Sequence, residues 1–341
     1  DRQRQRWKQR ATDADQEHGG NKHRQDAEHG QKLVELVGHH DTVVRATYSP
    51  DGSAILTASE DRTARVWDAG TGRLLAELVG HQDVIRVAEF SPDGRQILTA
   101  GNDKTARLWD RESGRLRFDL TGHDGTIGSA TYGPDGRKLV TCDGKKVRIW
   151  DATSGLLLRE VDGAKLIVDR VTFSPGGHRI LGRWGDRSVR VWEVETGSTL
   201  LELNGHGDLV TCASYRPDGQ RIVTASFDRM ARVWDADTGQ LLAELKGHAD
   251  RVKNAKYSSN GRHILTSSSD GTARIWNAAE GRLAAELKDF KGRVSSAAYA
   301  PDGVRILTVS GNKDIQIFDA ADGHLVAKLD DHQGIHGIET S

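Results

Sequence analysis

Fourteen histidines and a recurring Asp-rich turn are the raw material of metal sites, and any chemistry in this chain would have to start from them. His39 and His40 are adjacent, but neighbouring side chains of an extended chain point to opposite sides, which argues against a shared ion. The run Asp235-Ala236-Asp237-Thr238-Gly239 hints at a calcium loop. Its counterparts DAGTG, DRESG, DATSG, EVETG, NAAEG and DAADG lead to no Glu at the closing position, so hairpin turns are expected instead. The sequence contains no Gly-rich phosphate loop, no His-Glu-x-x-His, no paired Cys-x-x-Cys and no nucleophile elbow. No catalytic, cofactor-binding or metal-binding residue is assigned, and the expectation is a protein that is not an enzyme.

The histidines fall on a period. A Trp or Phe closes each unit at Trp67, Trp109, Trp150, Trp192, Trp234, Trp276 and Phe318, in steps of 42, 41, 42, 42, 42 and 42 residues. Five histidines occupy a Gly-His slot that recurs with the period, and His332 occupies a worn sixth version of that slot. A fixed period of this length marks a repeat architecture.

Each unit reads as four short strands. Val43 to Tyr48 is apolar and β-branched and stops at Ser49-Pro50-Asp51-Gly52, where Pro presets φ and Gly accepts a left-handed backbone. Ile55 to Ala58 is apolar at consecutive positions, as a strand covered on both faces should be. Glu60-Asp61-Arg62 turns into Ala64-Arg65-Val66-Trp67, and Asp68 to Gly72 turns again into an outer strand, Leu74 to Leu78. Folding that last hairpin about Thr71 sets Arg65 opposite Glu77. The same pairing recurs from Arg107 with Asp119 to Arg274 with Glu286, and in the seventh unit both members change together, to Gln316 and Lys328. Exposed cross-strand pairs contribute only about 0–1 kcal/mol each, so their value is in fixing register. Four strands in about 40 residues make one propeller blade. The expected fold is all-β: a closed seven-bladed β-propeller of four-stranded antiparallel blades, with a charged N-terminal extension.

Gly-His near the start of a unit and Trp-Asp about 29 residues on resemble the WD-repeat family of β-propellers, over Leu33 to roughly Leu329. The resemblance implies a buried hydrogen-bond network of structural, not catalytic, character, joining the His, a Ser or Thr of the second strand, the turn Asp and the Trp indole. The matching sets are His39, Ser59, Asp61 and Trp67; His206, Ser226, Asp228 and Trp234; and His248, Ser268, Asp270 and Trp276. His81, Asp103 and Trp109 in the second unit, His123 and Trp150 in the third, and Asp186 and Trp192 in the fourth are partial sets. In the second the Ser slot is Gly101, and in the third a shorter turn, TCDGKK, lacks the usual Asp spacing. The fourth unit has Ala164 and Trp184 in the His and Ser slots, which leaves Asp186 to solvent or to Arg183 or Arg187. The seventh has Phe290, Ser310, Asn312 and Phe318, a largely apolar replacement that can be close to neutral.

Positions that break the repeat without a packing reason are candidates for partner binding: Lys145, Lys146, Lys165, Arg183, Trp184, Arg187 and Phe227. Trp and Arg are enriched at binding hot spots, although simple drift of the fourth repeat accounts equally well for its departures. The first-strand positions that would line a central channel, Arg45, Val87, Ser129, Cys212 and Lys253, offer no acid–base pair for an enzyme-type propeller.

Residues 1–30 are different material. Only Trp7, Ala11, Ala14 and Ala27 are apolar, so a charged linker, helical or disordered, is expected there, with the propeller over 31–341. The stretch DAEHGQKLVELVGH mirrors DADTGQLLAELKGH at 235 to 248, which makes Leu33 to Val37 an outer strand. Eight outer-strand candidates then compete for seven blades, because Leu325 to Leu329 also fits. Family members commonly close the ring with the N-terminal strand, and residues 331–341 are either the start of a further repeat or a tail. A net charge of −1 does not indicate nucleic acid, and no stretch is long and apolar enough for a membrane span. Cys142 and Cys212 sit at non-equivalent strand positions and read as free thiols of a reducing compartment, so the expected location is cytoplasmic.

The near-copy repeats resemble bacterial WD-repeat arrays fused to signalling domains. That resemblance implies a non-catalytic interaction, scaffold or sensor module, the C-terminal part of a larger intracellular protein with an upstream domain, binding protein partners on its top face. That face is formed by the loops from fourth strand to next first strand and from second to third. A self-assembling array joined through unpaired outer strands is the alternative.

Overall fold

A computed structural model describes residues 34–162, 168–185, 187–300, 302–311 and 314–329. The first blade runs β1 (Val43–Tyr48), β2 (Ala54–Ser59), β3 (Thr63–Asp68) and β4 (Leu74–Val79), hydrogen-bonded in that order and antiparallel throughout. Six more sheets of the same order occupy 85–120, 129–162, 168–203, 210–245, 252–287 and 294–329. The molecule is thus a seven-bladed propeller, and among the described residues no helix is long and apolar enough to cross a membrane.

The turns form for the reasons their residues give. Asp51 accepts from Ser49 Oγ and from the Ser53 amide, and Gly52 sits at φ 69°. Asp68 accepts from the Thr71 amide and hydroxyl at 2.8 and 2.7 Å, with Gly72 again left-handed. Asp235 does the same for Thr238, so the run that hinted at calcium closes a hairpin. The third strand of every blade is bulged against the fourth just before its closing aromatic, which sharpens the local twist. Arg65 lies opposite Glu77 and pairs with it at 2.6 Å, and Gln316 lies opposite Lys328, as the sequence spacing requires.

The core lies between blades. Leu56, Ala58, Val66 and Leu78 on the trailing face of the first blade pack against Ile85, Phe90, Ile97 and Trp109 on the leading face of the second. The pattern repeats around the ring, and each such side chain contributes roughly 1.5–3 kcal/mol on burial.

Competition for the seventh outer strand is resolved by pairing: Leu325–Leu329 completes that blade. Of the rival segment, Leu33 lies outside the described residues, as do 331–341, and Val34 to Val37 joins no sheet. The expected closure is not met at the remaining junction. Phe90, Tyr132, Phe173, Tyr215, Tyr257 and Tyr299 hold one slot on the leading faces of blades two to seven and are 5–8% exposed, whereas Tyr48 in the same slot of the first blade is 61% exposed. Among the described residues, extensive strand contact links each successive pair of blades and does not link the seventh to the first.

Candidate functional site

The imidazole–carboxylate pairs are the residues with the greatest chemical potential, and the fold encloses them. In the sixth blade His248 donates from Nδ1 to Asp270 at 2.8 Å, and its Nε2 meets the Thr266 hydroxyl at 2.8 Å. Thr266 Oγ1 in turn accepts the Trp276 indole N–H at 2.8 Å. The same chain recurs as His39–Asp61–Thr57–Trp67, His81–Asp103–Thr99–Trp109 and His206–Asp228–Thr224–Trp234. The third blade joins the set through His123, Thr141, Trp150 and Asp143, its shorter turn still delivering a carboxylate at 3.0 Å from the imidazole.

One assignment changes. The hub is the Thr two residues before the expected Ser. Ser59, Ser226 and Ser268 instead brace the turn, each donating to the carbonyl of Asp41, Asp208 or Asp250 and accepting the amide of Asp61, Asp228 or Asp270.

Burial lowers the pKa of His81, His123, His206 and His248, and the partner carboxylates offset this only in part. For Asp270, burial works to raise the pKa. Bonds from Thr272, His248 and the Ala249 amide outweigh it and leave the carboxyl at about 2. Asp228 stands likewise at about 2, with Arg232 leading the opposing bonds. The pairs of His81, His123, His206 and His248 are therefore neutral imidazoles beside carboxylates at neutral pH. Both imidazole nitrogens are engaged and no face is open to a substrate. Such a network holds the two top-face loops and the second and third strands together.

This gives a direct test of the hub. Thr266→Val keeps the shape and strands two buried groups, His248 Nε2 and Trp276 Nε1, at about 1–3 kcal/mol each. Urea unfolding should show that loss, with Thr266→Ser close to the parent; an unchanged midpoint for the Val variant would remove Thr266 as hub.

Two blades replace the network. In the fourth, Trp184 is 3% exposed and packs against Trp192, ring centroids 4.6 Å apart, with Arg190 over the Trp184 ring at 4.7 Å. Gly182 stands in the Thr slot and makes the room: a Cβ there would meet Trp192 at 2.7 Å. Trp184 is therefore a core residue, which corrects its assignment as a docking position. Asp186 and Lys165 lie outside the described residues. In the seventh blade Phe290 packs on Phe318 at 5.4 Å, the apolar substitution expected there, and Asn312 lies outside the described residues.

The other candidates divide. Lys146 is held by Glu160 across its own blade, while Lys145 is exposed. Arg187 is exposed, at φ 72°, and reaches the Gly207 carbonyl of the next blade at 2.9 Å; Arg183 is half-buried and directed at the Val210 carbonyl at 3.4 Å. Phe227 is half-buried between Arg251 at 4.6 Å and Lys253 at 4.8 Å. These five residues form a cationic strip with one aromatic across the top of blades four to six. Arg251 and Lys253 were not foreseen, and neither was a recurring cation in the left-handed slot of the second-to-third-strand turn: Arg62, Lys104, Arg187 and Arg229, φ 66–72°. Asp319, Asp322 and His324 also converge, but they are the hairpin turn of the seventh blade, where Asp322 holds His324 at 2.6 Å.

Seven four-stranded blades, five of them stapled from within by His–Asp–Thr–Trp networks, define a β-propeller of repeat type. The sequence matches the family described as "WD domain, G-beta repeat" over residues 30–68, 72–110, 114–151, 197–235 and 239–277, and the chain belongs to that family. The five matched stretches close the five networked blades; the fourth and seventh, with their Trp and Phe pairs, fall outside. No curated protein matches the chain. Among solved structures it is similar to the computationally designed Ika8 protein, at 25% identity and a TM-score of 0.81, over 92% of this chain and 94% of that one.

Proposed function

We propose that this propeller is a non-catalytic protein-interaction module whose top face over blades four to six receives an acidic segment of a protein partner. The observation that carries this reading is the strip of Arg183, Arg187, Phe227, Arg251 and Lys253. It sets a half-buried ring and several cations side by side, while the His and Asp side chains of the networks are spent inside the blades. WD40 propellers generally bind protein partners, which agrees with this reading. The resemblance of the repeats to bacterial signalling arrays supports a sensor or docking role beside an upstream domain. Two free thiols, Cys142 and Cys212, support a reducing, cytoplasmic setting.

The test is capture of partners on the immobilised full chain. A Phe227→Ala/Arg187→Glu variant should lose about tenfold or more of what the parent retains, as expected when hot-spot residues are removed. Arg137→Glu, exposed at the opposite end of the third blade, should retain it. Equal recovery by the first variant would remove the strip as the binding surface.

A further inference from the structure

The junction between the seventh and first blades differs from the other six on both sides. On the leading face of the first blade Tyr48 is exposed, Val43 is 46% exposed, and Ile55 is only half-buried. Their counterparts in the sixth blade, Tyr257, Val252 and Ile264, are buried. On the trailing face of the seventh blade Leu307 and Ile317 are half-buried, whereas Leu265 and Ile275, in the same slots one blade earlier, are 1% and 2% exposed. Both faces carry the apolar pattern that is buried everywhere else.

A third observation says what the pattern awaits. Within the array, the turn glycine of each blade rests on the outer strand of the blade before it: Gly281 on Ala243 and Leu245, Gly323 on Ala285 and Leu287. Gly72 of the first blade rests in the same way on Val34 and Leu36. By alignment of DAEHGQKLVELVGH with DADTGQLLAELKGH, these two are the counterparts of Ala243 and Leu245. Val34 to Val37 therefore sits where the outer strand of a preceding blade belongs. The seventh blade cannot use it, because Leu325–Leu329 already fills that edge.

We infer that the seam is the seat of one further blade of this same repeat, with residues 34–37 as its outer strand. Its other three strands come from polypeptide that carries the same repeat. Such a blade would set a Leu/Val/Ala trailing face on Tyr48 and Ile55, and an aromatic leading face on Leu307 and Ile317. Both junctions then become continuous with the six already formed. A second copy of the chain would cover the faces but leave residues 34–37 without a sheet.

The experiment compares the chain 1–341 with an extended chain in which residues 331–341 are replaced by a copy of residues 247–278, which brings three strands and leaves 34–37 to supply the fourth. In a Cys212→Ala background, Tyr48→Cys in the parent chain should react with a maleimide at least tenfold faster than Tyr257→Cys. In the extended chain it should slow to the Tyr257→Cys rate, with light scattering reporting a monomer. The extended chain without any cysteine substitution should also unfold about 3 °C or more above the parent, which keeps the test open if a variant folds poorly. The inference is overturned if Tyr48→Cys is already slow in the parent, if it stays fast in the extended chain, if protection appears only as a dimer forms, or if the melting temperature does not rise.

Discussion

Trp184→Ala will lower the unfolding free energy by about 3–5 kcal/mol, the range for deleting a large buried aromatic. The ring fills the space that a His and a Thr occupy in the networked blades: it lies against Trp192, is capped by Arg190, and is 3% exposed. Its removal opens a cavity beside a second buried Trp and leaves Arg190 with no ring beneath it. Gly182→Thr alone will not rebuild the network, since its Cβ would collide with Trp192 and crowd Trp184, and the sequence offers Ala164 where the imidazole would be. Urea unfolding followed by tryptophan fluorescence measures the loss. A variant with parental stability would return Trp184 to the surface and to the list of docking residues.

That residue also shows where sequence stops being informative. The period, the turns and the Arg65–Glu77 register were legible because each depends on residues near one another in the chain, or on a spacing repeated many times. Trp184 was read as a docking residue because its type is common at interfaces, and burial depends on what surrounds it. A signal was present: Ala164 and Gly182, small residues in the His and Thr slots, free about the volume one large ring needs. Thr57 and its equivalents were passed over for a related reason. They sit inside runs such as Ile55 to Ala58, where a β-branched residue reads as packing, and only the His of the loop before the first strand and the Trp of the third strand make its hydroxyl a hub. Asp143 was hidden by a turn one residue shorter than the others, which the backbone absorbs by carrying the carboxylate to the same imidazole. The open seam could not be seen at all, because eight outer strands for seven blades is an arithmetic surplus until the structure shows which of them is paired.

Stability of the folded chain should fall steeply as the pH drops below about 6.5, and the sign follows from which state takes up the proton. His81, His123, His206 and His248 are held below their ordinary pKa, chiefly by burial. Between the unfolded value near 6.5 and each lower folded value, the unfolded chain binds more protons, so stability increases with pH across that window and is lost as pH falls through it. Each such His contributes a slope of up to about 1.4 kcal/mol per pH unit, and four together up to about 5. Their side chains are 0–1% exposed, so solvent screening removes little of this. A second loss follows below about pH 4, where unfolded carboxyls protonate while Asp228 and Asp270 hold out to about 2. The urea midpoint should be flat from pH 8 to 7 and decline through pH 6 and 5, and His248→Gln should reduce the slope by about a quarter, since one of the four groups no longer titrates. A midpoint that rises on acidification would mean the imidazoles are held as cations by their aspartates. The indole and imidazole N–H would then both point at one Thr oxygen, and the neutral network drawn from these distances would have to be replaced by an ionic one.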